Sequence, residues 1–84
     1  MDNEMQGDEF VDAVRINLRS RRKQLKLTQV AVAEKSGISQ ATIAQYEAGL
    51  VVPSLPSLAK LAEALNTVPA ILTTPGAFSA VASA

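Results

Sequence analysis

Apolar residues recur at steps of three and four along most of this chain, which is the spacing of helices with one buried face. The clearest stripe follows Ser54 and consists of Leu55, Leu58, Leu61, Ala62 and Leu65. An earlier stripe consists of Val11, Val14, Leu18 and Leu25. The hydrophobic fraction of 48% includes only 4% aromatic residues, so small aliphatic side chains dominate. The pattern predicts an all-α chain with one small core.

Small polar residues and glycines divide this pattern into five helices. Thr28, Ser39 and Ser54 stand where helix N-caps are needed. Gly37 and Gly49 suit the left-handed residue that ends a helix. We predict helices ending near Lys26, from Thr28 to Ser36, from Gln40 to about Ala48, from Pro53-Ser54 to before Asn66, and from about Pro69 to Leu72.

The two ends of the chain lack this periodicity. Residues 1–8 are polar and acidic, and we predict a disordered tail before a folded domain at 9–72. Residues 73–84 carry no charge and are rich in Ala, Ser and Thr, which favours a flexible tail. The alternative is that Phe78 and Val81 pack on a partner subunit.

Composition excludes several kinds of chemistry. The chain has no Cys and no His, so disulfides, thiolate chemistry and the commonest zinc sites are excluded. It also has no glycine-rich phosphate loop and no cluster of inward carboxylates, so we expect no enzyme, cofactor or metal. No apolar run approaches the roughly 20 residues that span a bilayer. A reducing cytoplasm is the expected setting.

Charge is distributed unevenly, although eight basic and eight acidic residues give a net charge of zero. The acids are concentrated in residues 2–12, whereas seven of the eight bases lie between positions 15 and 35: Arg15, Arg19, Arg21, Arg22, Lys23, Lys26 and Lys35. A polyanion responds to the local field, so this cluster is a candidate nucleic-acid surface. A solvated helix face is the simpler interpretation, and we predict phosphate contacts for Arg19 and Lys23.

The stretch Thr28 to Gly49 predicts two short helices joined by a turn at Gly37, which is a helix-turn-helix. The second helix of this motif can enter the major groove of DNA, where amide side chains read base edges. We predict base readout by the exposed residues Gln40, Ala41, Ala44 and Gln45. Gln29, at the start of the preceding helix, is placed to donate to a phosphate.

Residues 14 to 72 resemble the lambda-repressor-like DNA-binding domain of the Cro/C1, or XRE, family. The residues that carry the resemblance are Leu27-Thr28-Gln29, Val32-Ala33, Ser36-Gly37-Ile38-Ser39, Ile43, Tyr46-Glu47, Gly49, Pro53-Ser54, Leu58, Leu61, Ala62 and Leu65. The resemblance implies a compact five-helix fold in which Ser39 and Thr42 also face DNA. We assign both to phosphate contacts. It further implies that Arg22 pairs with Glu47 as a structural element.

The chain departs from the family pattern at several positions, including Val30, Val32 and Ala48, and two further departures bear on the fold and the interface. Lys26 stands where the family usually has Gly, which predicts strain in the bend between helices one and two. The loop 50–52 (Leu-Val-Val) is apolar where many relatives place residues that hold phosphates. This loop, together with helix five, is a candidate dimer surface, for which we name Leu50, Val51, Val68, Ile71 and Leu72.

Two functional hypotheses follow. The first is a sequence-specific transcription regulator, a repressor that binds a palindromic operator in double-stranded DNA as a homodimer. The second is a protein-interaction module, the antitoxin of a toxin–antitoxin pair with autoregulatory DNA binding. In that case a tail of the chain would become ordered on the protein partner.

Overall fold

Five helices follow one another in the predicted order, and the computed structural model describes residues 7–78. The helices are α1 (Gly7–Gln24), α2 (Gln29–Ser36), α3 (Gln40–Ala48), α4 (Leu55–Ala64) and α5 (Pro69–Leu72). No strand occurs within residues 7–78. In the same range no helix is long and apolar enough to cross a membrane. The predicted all-α class is therefore confirmed.

Side-chain caps start the three central helices at the predicted residues. Thr28 accepts a hydrogen bond from the backbone N–H of Ala31 at 3.0 Å. Ser39 accepts one from the N–H of Thr42 at 3.1 Å. Ser54 does the same at the start of α4. Each bond satisfies one of the backbone donors that the first turn of a helix leaves without a partner, which fixes where the helix begins.

Left-handed glycines end α2 and α3. Gly37 and Gly49 have φ angles of 78° and 77°. Lys26, which has a Cβ, also adopts a positive φ of 59°. Helix α1 ends at Gln24, two residues before Lys26 and as predicted near it, because the N–H of Lys26 bonds back to the carbonyl of Lys23 and the chain turns there. The strain predicted at this bend is thus localised at one residue.

The core lies between the helices and is built from aliphatic side chains and two aromatic ones. Its buried members are Val14, Leu18, Val32, Ile43, Tyr46, Leu58, Leu61, Ala62, Leu65, Leu72 and Phe78. The stripe predicted for the fourth helix begins only at Leu58, since Leu55 is 80% exposed. Leu55 lies outside the core, so the prediction for this residue was wrong.

The segment after α5 packs on the domain itself. Phe78 is buried in the core, and its ring centroid lies 5.5 Å from the Cζ of Arg21. Its carbonyl oxygen accepts a hydrogen bond from Nε2 of Gln24. Phe78 is therefore not available to a partner subunit, because its ring already fills a gap against α1. Val81 lies outside the described residues, and α1 begins within the segment that we assigned to the N-terminal tail.

A buried asparagine attaches α5 to α1. Nδ2 of Asn17 donates to the carbonyl oxygens of Ile71, Leu72 and Thr74 at 3.3, 2.9 and 2.8 Å. Asn17 has no exposed surface. The Ile71 and Leu72 carbonyls belong to the last turn of α5, where intrahelical donors run out, and the Thr74 carbonyl follows that turn. The Ile71 and Thr74 carbonyls also accept from the backbone N–H groups of Thr74 and Ala77, both at 3.1 Å, so the Asn17 amide matters most for Leu72. The Asn17 amide thus supplies the C-terminal cap that the four-residue helix α5 lacks in its own sequence.

Candidate nucleic-acid interface

Helix α3 presents a continuous face of small and amide side chains. Ile43 and Tyr46 are buried on its opposite side, which fixes the rotation of the helix. The side chains of Gln40, Ala41 and Gln45 are exposed, and that of Ala44 is half-buried. All four residues predicted for base readout therefore lie together at the surface of the second helix of the motif.

The amide of Gln40 is held by the helix before it. Its Nε2 donates to Oε1 of Gln29 at 2.7 Å. An amide nitrogen has two hydrogens, so the second hydrogen and the Oε1 of Gln40 are left for a ligand. Gln reads adenine by accepting from N6 and donating to N7. The contact with Gln29 defines which end of the Gln40 amide is the donor, and therefore favours that pairing.

Gln29 is itself held by the ion pair that the family resemblance implies. Its Nε2 donates to Oε1 of Glu47 at 3.1 Å. Glu47 receives two further bonds from Arg22, at 2.7 Å from Nε and 2.9 Å from Nη2. Arg22 also donates from Nη1 to the carbonyl of Leu27. The chain of bonds from Arg22 through Glu47 and Gln29 to Gln40 joins α1, α2 and α3 under the exposed face.

The ion pair between Arg22 and Glu47 is largely buried, which indicates a structural role. The side chains of Arg22 and Glu47 are only 13% and 7% exposed. The hydrogen bond to Glu47 and its negative charge raise the pKa of Arg22 above its ordinary value, against a smaller lowering by burial. The contact with Glu47 thus favours the charged form of Arg22. The bridging position of Gln29 was not predicted, because only the fold brings these three helices together.

Two hydroxyl groups mark the start of α3. The Ser39 hydroxyl accepts from the backbone of Thr42 and donates to the Thr42 side-chain oxygen at 2.8 Å. Both hydrogen-bonding functions of Ser39 are thus occupied in the cap. The Thr42 hydroxyl keeps its own hydrogen, so it is the better phosphate donor of the two. Ser39 can make the predicted phosphate contact through its backbone N–H, or through its hydroxyl once the hydrogen bonds to Thr42 open.

The basic residues of α1 fall into two groups. Arg19 and Lys23 are exposed and lie four residues apart, hence on one face of the helix. Arg21 and Arg22 are engaged within the fold, Arg21 by donating to the carbonyls of Leu65 and Asn66. The charges of Arg19 and Lys23, the two residues predicted for phosphate contact, thus face solvent. Arg15 belongs to neither group, since its side chain is 39% exposed and pairs with Asp12.

The residues proposed for a dimer surface do not all lie at the surface. Leu50, Val51, Val68 and Ile71 are exposed, but Leu72 is fully buried in the core. The prediction for Leu72 was wrong, because this side chain closes the core between α5 and its neighbours. Leu55 is 80% exposed, and the sequence did not predict that it belongs to this surface. Its place in a helical apolar stripe indicated a buried residue instead.

These features define a helix-turn-helix DNA-binding domain with the five-helix lambda-repressor-like fold. Residues 18–71 match the helix-turn-helix family HTH_3. The chain therefore belongs to that family, which is the Cro/C1 type of transcription regulator.

Solved structures of regulators share this fold. The restriction-modification controller protein C.AhdI from Aeromonas hydrophila is 31% identical, with a TM-score of 0.71 over 74% of this chain and 94% of that one. The DNA-binding domain of the P22 C2 repressor is 29% identical, with a TM-score of 0.68 over 86% of this chain and 84% of that one. No curated protein matches the chain.

An enzyme also contains a domain of this shape. Hydroxypropylphosphonic acid epoxidase from S. wedmorenis is 29% identical, with a TM-score of 0.72 over 81% of this chain. The match covers only 36% of that protein. Within residues 7–78 of our chain, no group of three or more Asp or Glu residues is placed to hold a metal ion.

Proposed function

We propose that this protein is a sequence-specific repressor that binds a palindromic operator as a homodimer. The observation that carries the proposal is the amide face of α3, with Gln40 held in one orientation by Gln29. A side chain with fixed donor and acceptor positions discriminates between bases, whereas a freely rotating amide accepts several.

In the proposed complex α3 enters the major groove. Gln40 and Gln45 read base edges, while Ala41 and Ala44 allow close approach and contact thymine methyl groups. The remaining Nε2 hydrogen of Gln29 and the free N–H groups at the start of α2 bind a phosphate, as does the hydroxyl of Thr42. Arg19 and Lys23 add attraction that does not depend on sequence.

A dimer follows from the small size of this reading face. A few base contacts in one domain do not give genomic specificity, whereas two domains reading half-sites roughly 34 Å apart do. The exposed apolar residues Leu50, Val51, Val68 and Ile71 support a dimer surface, and Leu55 joins them by its exposure. Large apolar side chains of this kind gain free energy when a second copy covers them.

Selection of bound sequences from a random DNA library tests base readout. We expect a two-fold symmetric consensus from the wild-type chain, and loss of preference at one base pair per half-site for Gln40→Ala. Gln45→Ala should relax a different position. The control Lys60→Ala, on exposed α4 surface, should leave the consensus unchanged. Unaltered site preference in both glutamine variants would show that the assigned face is not the reading face.

Sedimentation equilibrium tests the dimer surface. We expect Leu55→Ser and Ile71→Ser to weaken self-association, because each removes exposed apolar area. Val30→Ser is the matched control, since Val30 is also exposed but lies on α2. Equal dissociation constants for all four proteins would place the dimer contact elsewhere.

The alternative of an antitoxin has less support from the fold. Its partner would have to order one of the tails, and Phe78, the largest side chain of the C-terminal one, is already buried in the core. Co-purification of a small protein with the full chain would favour this alternative.

A further inference from the structure

Arg15 lies across the residue that ends the proposed recognition helix. Gly49 terminates α3, and a Cβ added to it would stand 3.0 Å from Cδ and 3.6 Å from Nε of Arg15. The aliphatic part of the Arg15 side chain therefore packs directly over the C-terminal end of α3. Gly49 serves two needs at once, a positive φ and room for this side chain.

A shallow groove forms where these residues meet. It is lined by Val11, Asp12, Arg15, Ala48 and Gly49. Ala48 is exposed and follows Gln45 by three positions and Ala41 by seven, so it continues the reading face of α3. The groove thus adjoins the end of the face that we place in the major groove, where a protein reaches the phosphates that border that groove.

The guanidinium of Arg15 is only partly engaged. Its Nε donates to Oδ1 of Asp12 at 2.9 Å. Within residues 9–78 its two terminal nitrogens, which carry four of the five N–H donors, have no hydrogen-bond partner. The side chains of Arg15 and Asp12 are 39% and 55% exposed, and an exposed pair of this kind contributes little to stability. An approaching phosphate can therefore compete with Asp12 for Arg15.

The loop that follows α3 supplies no positive charge, so the charge of Arg15 matters more at this end of the helix. Leu50, Val51 and Val52 carry no charge, and no basic residue occurs between Lys35 and Lys60. Arg22, which also reaches the C-terminal half of α3, is neutralised by Glu47. Arg15 is thus the cation that the fold brings to this end of α3, from a helix distant in sequence.

We propose that Arg15 binds a backbone phosphate of DNA at the C-terminal end of α3, and that Asp12 weakens this contact by competing for the guanidinium. The inference rests on the proposed DNA-binding function and adds a specific phosphodiester site to it. The contact is independent of base sequence, so Arg15 sets affinity and not specificity.

Salt titration of operator binding tests the site. For Arg15→Gln we expect about tenfold weaker binding near physiological salt and a slope of log K against log salt that is shallower by about one unit per half-site. Arg15→Lys keeps the charge and should keep most of the slope. Lys60→Gln removes an exposed positive charge on α4 and should change the slope little.

Asp12 supplies the decisive comparison. Asp12→Asn should strengthen binding several-fold, and this gain should disappear in the double variant Asp12→Asn/Arg15→Gln, because the two residues act through one contact. A gain that persists unchanged in the double variant would show that Asp12 acts through long-range charge and would overturn the proposal. So would an Arg15→Gln slope equal to that of Lys60→Gln while the wild-type consensus is intact. Failure of the wild-type chain to select any consensus would instead contradict the proposed function.

Discussion

Gln29 accepts a 2.7 Å hydrogen bond from Gln40, so the first residue of α2 holds a side chain of the first turn of α3. Neither residue is buried, yet both are tied through Glu47 to the ion pair beneath them. The proposed reading face is therefore held in place in the free protein. A held side chain loses less rotamer freedom on binding, which favours both affinity and discrimination.

Removal of the hydrogen bond between Gln29 and Gln40 should relax the base preference. We expect Gln29→Ala to reduce discrimination at the base pair read by Gln40 by about 1 kcal/mol, a fraction of the roughly 1–3 kcal/mol of a complete amide–adenine pair. Competition assays with single-base operator variants measure the effect. Because Gln29 acts through Gln40, the double variant Gln29→Ala/Gln40→Ala should cost less than the sum of the single ones. Strict additivity would mean that the two side chains work separately.

The Arg22–Glu47 pair should be costly to break from one side. Arg22→Met leaves the largely buried Glu47 carboxylate without its partner, and we expect a loss of about 3 kcal/mol in the free energy of unfolding. Replacement of both residues, Arg22→Met/Glu47→Leu, should restore much of that loss. Arg19→Met, an exposed substitution on the same helix, serves as the control in urea titrations. A double variant no more stable than Arg22→Met would contradict the explanation.

The pH dependence of the stability that the Arg22–Glu47 pair contributes follows from the direction of the shift in the pKa of Arg22. The folded-state pKa of Arg22 is raised, so its stabilisation is fully present below the unfolded pKa and is lost only as pH rises through the folded value. Both values lie in the strongly alkaline range typical of arginine. We expect the stability difference between wild type and Arg22→Met to be constant from about pH 7 to about pH 9. Urea titrations at several pH values within this window measure it.

Local sequence signals were sufficient for the boundaries of most helices. Thr28, Ser39 and Ser54 each accept from the backbone N–H three residues away, so their effect is visible in the sequence itself. The same is true of Gly37 and Gly49, whose backbone conformation few other residues adopt without cost. These short-range interactions identified the helix-turn-helix before any tertiary contact was known.

The burial of individual side chains could not be predicted to the same degree, because it depends on how the helices pack against one another. Leu55 continues an apolar stripe and is nevertheless 80% exposed, whereas Leu58, three residues later, is buried. Leu72 and Phe78 were placed at or near a partner surface and are buried, since α5 and the following turn fold back on α1. The roles of Arg15 and Gln29 are likewise defined by residues distant in sequence.

Strain at Lys26 should be removable. A residue with a Cβ pays roughly 1–2 kcal/mol in the left-handed region, and Gly does not. Lys26→Gly gains this amount but adds freedom to the unfolded chain, so we expect a net stabilisation of about 0.5–1 kcal/mol. Lys26→Ala keeps the Cβ and should not stabilise the fold. Thermal unfolding of the two variants separates backbone strain from loss of the positive charge.

The stability of α5, a helix of only four residues, should depend on the cap that Asn17 provides. Asn17→Ala removes a donor from the carbonyls of Ile71, Leu72 and Thr74, of which Ile71 and Thr74 keep backbone donors, and we expect a loss of about 1–3 kcal/mol in the free energy of unfolding. The neighbouring substitution Ile16→Ala, at an exposed position of α1, is the control. Hydrogen exchange locates the effect: the amides of Leu72 and Thr73 should lose protection in Asn17→Ala, while those of α3 change only as far as global stability falls. Uniform loss of protection through all five helices would mean that Asn17 stabilises the core as a whole and does not act as the cap of α5.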